Sequence, residues 1–127
     1  LIPGAGVTPE QLPLLLKRFD ATILAAAPGV IRQMLRTTLP ALPKLRHGLS
    51  AGESLLPALR QDWRDRTGTD LHEALGMSEC STFISGSPAR PAPEGCAGYP
   101  QPGRRVAVLG AEGPVLRGEA GTLAVHR

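Results

Sequence analysis

The chain has 127 residues, 42% of them apolar, which supports a compact domain with a modest core and argues against a disordered chain. Fifteen Gly and thirteen Pro stand against four aromatic residues, Phe19, Phe83, Tyr99 and Trp63, so the core is expected to be aliphatic and the turns frequent. Twelve Arg and two Lys give a net charge of +3, scattered among acids except for the pair Arg104-Arg105 and the segment with Arg60, Arg64 and Arg66; without stacking aromatics this disfavours a nucleic-acid partner and leaves a small polyanion.

Cys80 and Cys96 lie sixteen positions apart with no CxxC partner, which gives neither a zinc pattern nor a disulfide framework, so a reducing cytoplasm is the simplest expectation. The start Leu1-Ile2-Pro3-Gly4 has no Met and no charged n-region, and no apolar run reaches the length of a membrane span. The chain therefore reads as an excised piece of a longer soluble protein.

Thr8-Pro9-Glu10-Gln11 combines a cap, a Pro at the first helical position and a Gln three after the cap, and Leu12, Leu15, Leu16 and Phe19 follow at helical spacing. A helix over 9–19 is predicted, with Pro13 disturbing its start. The apolar run 21–27 stops at Pro28-Gly29 and reads as a strand buried on both faces. Val30, Ile31, Met34 and Leu35 then recur on one helical face until Pro40 and Pro43 break the chain. Residues 45–50 form a second strand candidate ending in Ala51-Gly52-Glu53. Ser54 is placed as the cap of a helix whose buried stripe is Leu55, Leu56, Leu59 and Trp63, with an Asp62–Arg66 pair outside and Gly68 as its stop. Residues 69–75 supply a third strand that runs into a turn at Gly76.

Strands alternating with helices imply right-handed crossovers and a parallel sheet, with ligands at the carboxyl ends of the strands. Three turns should then line one edge: Ala27-Pro28-Gly29, 50–53 and Leu75-Gly76-Met77-Ser78-Glu79. Beyond Thr82 the chain becomes a Pro-rich connector, and 105–109 and 121–126 read as strands separated by Gly turns. The expected fold is α/β, a mainly parallel sheet with flanking helices over 9–79 followed by the start of a β-rich subdomain over 98–127. The division is 1–86, a connector 87–103, and 104–127.

These segments together resemble the adenylate-forming, AMP-binding superfamily of acyl- and aryl-CoA synthetases. The strand ending at Ala27-Pro28 is similar to the family's strand before the acyl pocket, and Leu45-Arg46-His47-Gly48-Leu49-Ser50-Ala51-Gly52-Glu53-Ser54-Leu55 resembles its adenine-contacting turn. Leu75-Gly76-Met77-Ser78-Glu79 resembles the aromatic-Gly-x-Thr-Glu signature, and Gly98-Tyr99-Pro100-Gln101-Pro102-Gly103 and 118–125 resemble two further landmarks in their expected order. Ser keeps the hydroxyl of the usual Thr, whereas Leu75 lacks the stacking face of the usual aromatic.

The resemblance implies an enzyme that uses ATP and Mg²⁺ to convert a small carboxylic acid into an acyl-adenylate and then into a coenzyme A thioester. It makes Ser78 and Glu79 catalytic, with Glu79 on the metal, and it places Ala51, Gly52, Glu53, Glu73, Ala74, Leu75, Gly76 and Ser78 around the nucleotide. Ala25, Ala26, Ala27, Gly76 and Met77 would line the acyl pocket, whose small side chains leave room for an aromatic or medium-chain acid. An amino-acid-activating adenylation domain and a non-catalytic nucleotide-binding or structural fragment stand as alternatives. The family's Lys-bearing phosphate loop would precede this region, and its ribose-binding Asp and catalytic Lys would follow it. The chain alone is therefore expected to be inactive, and its cut sheet edge to favour self-association.

Other residues have simpler readings. His47, His72 and His126 lack metal-ligand spacing and are read as surface or satisfied residues. Cys80 is a small buried residue rather than a nucleophile, and Trp63 is a core anchor.

Overall fold

The computed structural model describes residues 6–126; the first five residues and Arg127 lie outside that range. A 3₁₀ turn, Pro9–Gln11, is closed by the Thr8 backbone N–H donating to Gln11 Oε1 at 3.1 Å and leads into α1 (Leu12–Arg18). Pro13 falls in the first turn of α1, where the donor it lacks would be unpaired anyway, so it does not disturb the helix.

Strands β1 (Ile23–Ala26), β2 (His47–Ala51) and β3 (Asp70–Met77) alternate with α2 (Pro28–Leu35) and α3 (Pro57–Thr67). The three strands pair in parallel in that order, and the sheet continues antiparallel through β4 (Ser81–Ser85) and β5 (Tyr99–Pro100). A second, antiparallel sheet holds β6 (Val106–Gly110) between β7 (Gly113–Pro114) and β8 (Thr122–Val125). This is the expected mainly parallel α/β sheet followed by a β-rich segment.

Two successive crossovers in one direction put α2 and α3 on the same face. The row Leu24, Gly48 and Leu71 lies in register across β1, β2 and β3 and faces a core built from Leu16, Ile31, Met34, Leu35, Leu45, Leu55, Leu59 and Trp63. Gly48 makes this packing possible, since a methyl group there would lie 2.7 Å from Leu71 Cδ1 and 2.8 Å from the Trp63 ring. The Trp63 indole N–H donates to Thr69 Oγ1 at 3.0 Å, and Thr67 Oγ1 donates to the Trp63 carbonyl at 2.9 Å, which ties the end of α3 to the start of β3. Gly68 between them is left-handed, φ 70°, and ends the helix as expected.

Several local expectations are corrected. Strand β1 is not buried on both faces: its burial alternates, with Leu24 buried and Ile23 and Ala25 exposed, because it is the edge of the sheet and helices cover one face only. Helix α3 begins at Pro57 rather than after Ser54, with Leu56 at the cap position and 56% exposed, because Pro at the first helical position is the stronger start signal. Asp62 and Arg66 form no pair; Arg66 donates to the Thr37 carbonyl at 2.7 Å instead, while Arg64 bonds Asp70 and Arg60 bonds Glu73 at 3.3 Å. Gly76 is no turn but a residue inside β3, and β4 follows it as a hairpin partner that the sequence reading left out.

The uncovered face holds a pair of histidines. His47 and His72 meet edge to face with ring centroids 5.7 Å apart, and the connector closes over His72, where a methyl group on Gly86 would come within 3.2 Å of Nδ1. His72 is buried rather than on the surface, and among the described residues neither its Nε2 nor His47 Nδ1 has a hydrogen-bond partner. Burial lowers the affinity of both rings for a proton; for His72 the Asp70 carboxylate opposes this, and His47, Arg60 and Arg64 add to it, while for His47 the charge of Arg46 adds to it.

Two outcomes follow from this packing. Gly48→Ala should lower stability by about 1–3 kcal/mol through overpacking, read as a shift in urea midpoint at unchanged slope. The depressed histidine pKa values leave the folded state neutral where the unfolded chain is protonated. Stability should therefore be full above the ordinary histidine value of about 6.5 and fall as the pH drops below it. His72→Gln should flatten that dependence in urea melts taken between about pH 7.5 and 5.5.

Candidate active site

The parallel register brings the expected strand ends together. Ala26 pairs with Ser50, and Ala51 pairs with Ala74, so the turns after β1 and β2 stand beside the last residues of β3 on one edge of the sheet. After Ala51, Gly52 takes φ 93° and turns the chain away with Glu53 exposed to solvent. Strand β3 continues past that edge through Leu75, Gly76 and Met77, and its register against β4 shifts between Leu75 and Gly76. At Gly76 a Cβ would lie 2.6 Å from the Ser81 carbonyl oxygen and 2.7 Å from Thr82 Cα. The glycine of the motif is thus required by the close approach of β4.

Ser78 and Glu79 form the tip of the β3–β4 hairpin. The Cys80 N–H donates to the Met77 carbonyl at 3.2 Å, and Ser81 then adopts φ 59°, a left-handed conformation uncommon for a residue with a side chain. Both Ser78 and Glu79 are exposed, and the Glu79 carboxylate makes no ion pair among the described residues. The two side chains line a cleft of about 460 Å³ together with Cys80, Ser81, Arg104, Val125 and His126. Sequence reasoning missed Arg104 and His126 as part of this site and placed every opposing wall outside the chain. The only available signal was the basic pair Arg104-Arg105.

Other expected residues divide. Ala74 is buried, Leu75 is 38% exposed and Met77 is exposed. Glu73 is half-buried, its carboxylate is committed to Arg60 on α3, and it pairs with Ser50 one residue before the strand edge. Ser50 is fully buried, and its hydroxyl has no hydrogen-bond partner among the described residues. In the acyl-pocket group, Ala26 packs on the helical core while Ala25 points to the opposite face, because neighbours in a strand alternate. Ala25 and Ala26 line a groove of about 830 Å³ against Leu12, Leu15, Leu16 and Phe19 of the first helical segment. That groove does not include Gly76 or Met77, which lie two strands away, about 10 Å.

The donors at the hairpin tip are a carboxylate and a hydroxyl, hard oxygens of the kind that bind Mg²⁺. Among the described residues no three His, Cys, Asp or Glu side chains cluster to hold a metal. One carboxylate suits an ion that takes its remaining ligands from substrate phosphates and water. Among the described residues no helix is long and apolar enough to cross a membrane.

The sequence model of the AMP-binding enzyme family matches residues 1–127. The mitochondrial acyl-coenzyme A synthetase ACSM5 of Mus musculus is 34% identical over 97% of this chain and 23% of its own length. Among solved structures, an acyl-CoA synthetase of Brucella canis superposes with a TM-score of 0.85 at 31% identity, over 94% of this chain and 23% of that one. The anthranilate CoA ligase AuaEII, solved with anthranoyl-AMP, gives 0.80 at 29% identity over 98% of this chain and 25% of that one. The chain thus spans about a quarter or less of the relatives that it matches. The peptide-synthetase and non-catalytic alternatives are not favoured by these matches. The relatives' mitochondrial setting overturns the cytoplasmic expectation: unpaired cysteines fit any reducing milieu and do not select a compartment. With its whole length matched and its sheet superposing on acyl-CoA ligases, the chain belongs to the AMP-binding enzyme family.

Proposed function

We propose that this chain is the central part of the large N-terminal domain of an ATP-dependent acyl-CoA ligase and supplies two walls of its acyl-adenylate site. The observation that carries the reading is that β2 and β3 end at one edge of the parallel strands, where Ala51 pairs with Ala74, and that β3 runs on past that edge to the Ser78-Glu79 hairpin tip. Residues 1–86 form the α/β part, 87–103 the connector and 104–127 the start of the β-rich subdomain.

In the proposed reaction a carboxylate oxygen of the acid bonds to the α-phosphorus of ATP, the bond from that phosphorus to the β-phosphate bridging oxygen breaks, and pyrophosphate leaves with the electron pair. The thiolate of coenzyme A then attacks the acyl carbon, and AMP leaves. Both reactants of the first step are anions, so the site must place donors and positive charge on the phosphoryl oxygens. Ser78 donates its hydroxyl to an α-phosphate oxygen. Glu79 would hold Mg²⁺, which when bound would neutralise phosphate charge. Gly52 and its neighbours Ala51 and Glu53 present backbone to one side of the adenine, and the backbone of Glu73, Ala74, Leu75 and Gly76 presents the other, with the Leu75 side chain as an aliphatic base support. Ala25 and Ala26 of β1 and Ala27, which caps α2, form one side of the acyl end, and Gly76 and Met77, two strands away, form the other. An aromatic acid fits this small-residue surface, and the similarity to an anthranilate CoA ligase supports that class.

Glu79→Gln in the full-length protein should lower ATP–pyrophosphate exchange by about 10²–10³-fold with little change in folding; exchange within a few-fold of the unmodified protein would remove Glu79 from this role. The isolated 127 residues should release no pyrophosphate from ATP and acid, and should sediment above the monomer mass because the β1 edge and Ile23 are uncovered. Turnover by that chain, or a clean monomer, would count against each expectation in turn.

A further inference from the structure

We infer that Arg104 is a second phosphate-binding residue of this site, reaching the polyphosphate of the nucleotide across the cleft from Ser78 and Glu79. The inference rests on the acyl-CoA ligase reading above and adds to it a residue outside the motif.

The cleft has two lips. One is the hairpin tip with Ser78 and Glu79; the other is formed where the chain enters β6 and leaves β8, with Arg104, Val125 and His126. Arg104 is fixed at this lip by its backbone N–H, which donates to the Gln101 carbonyl at 2.9 Å in a turn where Gly103 takes φ 80°. Its guanidinium is exposed and forms no ion pair or hydrogen bond within the described residues. Its neighbour Arg105 is occupied, 2.7 Å from a ring nitrogen of His126, so the two adjacent cations play different parts. Arg105 ties the start of the central strand β6 to the end of β8, and Arg104 is left as an exposed cation lining the cleft.

The charge balance favours an anion there. A nucleotide triphosphate brings about four negative charges at neutral pH, and Glu79 adds one. A single Mg²⁺ offsets two of these, so the site calls for further cations. Guanidinium is the side chain best matched to a phosphate, since its planar fork donates two parallel hydrogen bonds to two oxygens. With Ser78 on the α-phosphate, a group on the facing lip is placed for the phosphates that leave as pyrophosphate. Coenzyme A also carries a diphosphate, so the shared chemistry is a substituted diphosphate, and the two half-reactions separate the sources.

The test measures ATP–pyrophosphate exchange without coenzyme A for the full-length protein, Arg104→Gln, Arg104→Lys and the charge control Arg117→Gln, an exposed residue that does not line the cleft. Arg104→Gln should raise KM for ATP and for pyrophosphate about tenfold or more, as loss of a charge-assisted hydrogen bond predicts, while KM for the acid stays unchanged. Arg104→Lys should restore part of the loss, Arg117→Gln should do nothing, and added salt should narrow the difference between Arg104→Gln and the unmodified protein. Exchange by the unmodified protein with unchanged ATP and pyrophosphate KM in Arg104→Gln would overturn the inference alone. So would a rise confined to KM for coenzyme A in the complete reaction. Absence of exchange in the unmodified protein would overturn the parent reading and this inference with it.

Discussion

The packing of Trp63 against Gly48 is the contact on which the rest of the structure depends. It sets α3 directly over β2 and β3, and the Thr67–Thr69 hydroxyls lock the helix end to the strand that follows. Two ion pairs, Arg60–Glu73 and Arg64–Asp70, run along the same helix–strand seam. They are partly or largely exposed and are worth about 0–1 kcal/mol each, whereas truncating a buried Trp to Ala costs about 3–5 kcal/mol. The indole therefore decides where β3 lies. Because β3 pairs in parallel with β2 from that anchor, Ala51 meets Ala74, and the hairpin tip is carried three residues beyond the edge. The position of Ser78 and Glu79 is thus set from the opposite end of the strand.

Much of this was legible in the sequence because it is periodic or locally capped. The apolar spacing of Ile31, Met34 and Leu35, the Leu59–Trp63 stripe and the left-handed stop at Gly68 are signals carried by neighbouring residues. What failed was decided by partners far along the chain or by rival local signals. The run 21–27 is apolar throughout, yet whether both faces are covered depends on where helices pack, and both crossovers go to one side. Ser54 and Pro57 are rival start signals three residues apart, and the fixed φ of the proline prevailed. Arg66 has Asp62 one helical turn away but reaches a carbonyl of the loop after α2, where the backbone acceptor is fixed and no second flexible side chain must be ordered.

The site shows the same division. Its hydroxyl and carboxylate follow from a contiguous motif, but the facing wall does not, since Arg104 and His126 stand 25 or more positions from Glu79 in the sequence and come to the cleft only through the second sheet. Gly76 was legible as a glycine and misread in its reason. A turn glycine is chosen for its dihedral freedom, and this one is chosen for space, because the bulge brings the Ser81 carbonyl into the volume a side chain would fill.

That close approach bears on how the hairpin can serve phosphoryl chemistry. An exposed two-stranded tip is ordinarily free to sway, and a swaying donor loses the benefit of being held in place before reaction. Here the bulge at Leu75–Gly76, the turn bond from Cys80 to Met77 and the left-handed Ser81 constrain successive residues on both sides of Ser78 and Glu79. The backbone cost at Ser81, of order 1 kcal/mol, is borne at the residue that returns the chain into β4, whose Phe83 is buried. The base-facing side of the same strand is less specialised: the Glu73 carboxylate is held by Arg60, and Leu75 offers an aliphatic surface. On the proposed reading, affinity for the nucleotide then comes chiefly from its phosphates and from backbone contacts to its base. That is why a free guanidinium on the facing lip matters more in this chain than it would beside a stacking aromatic.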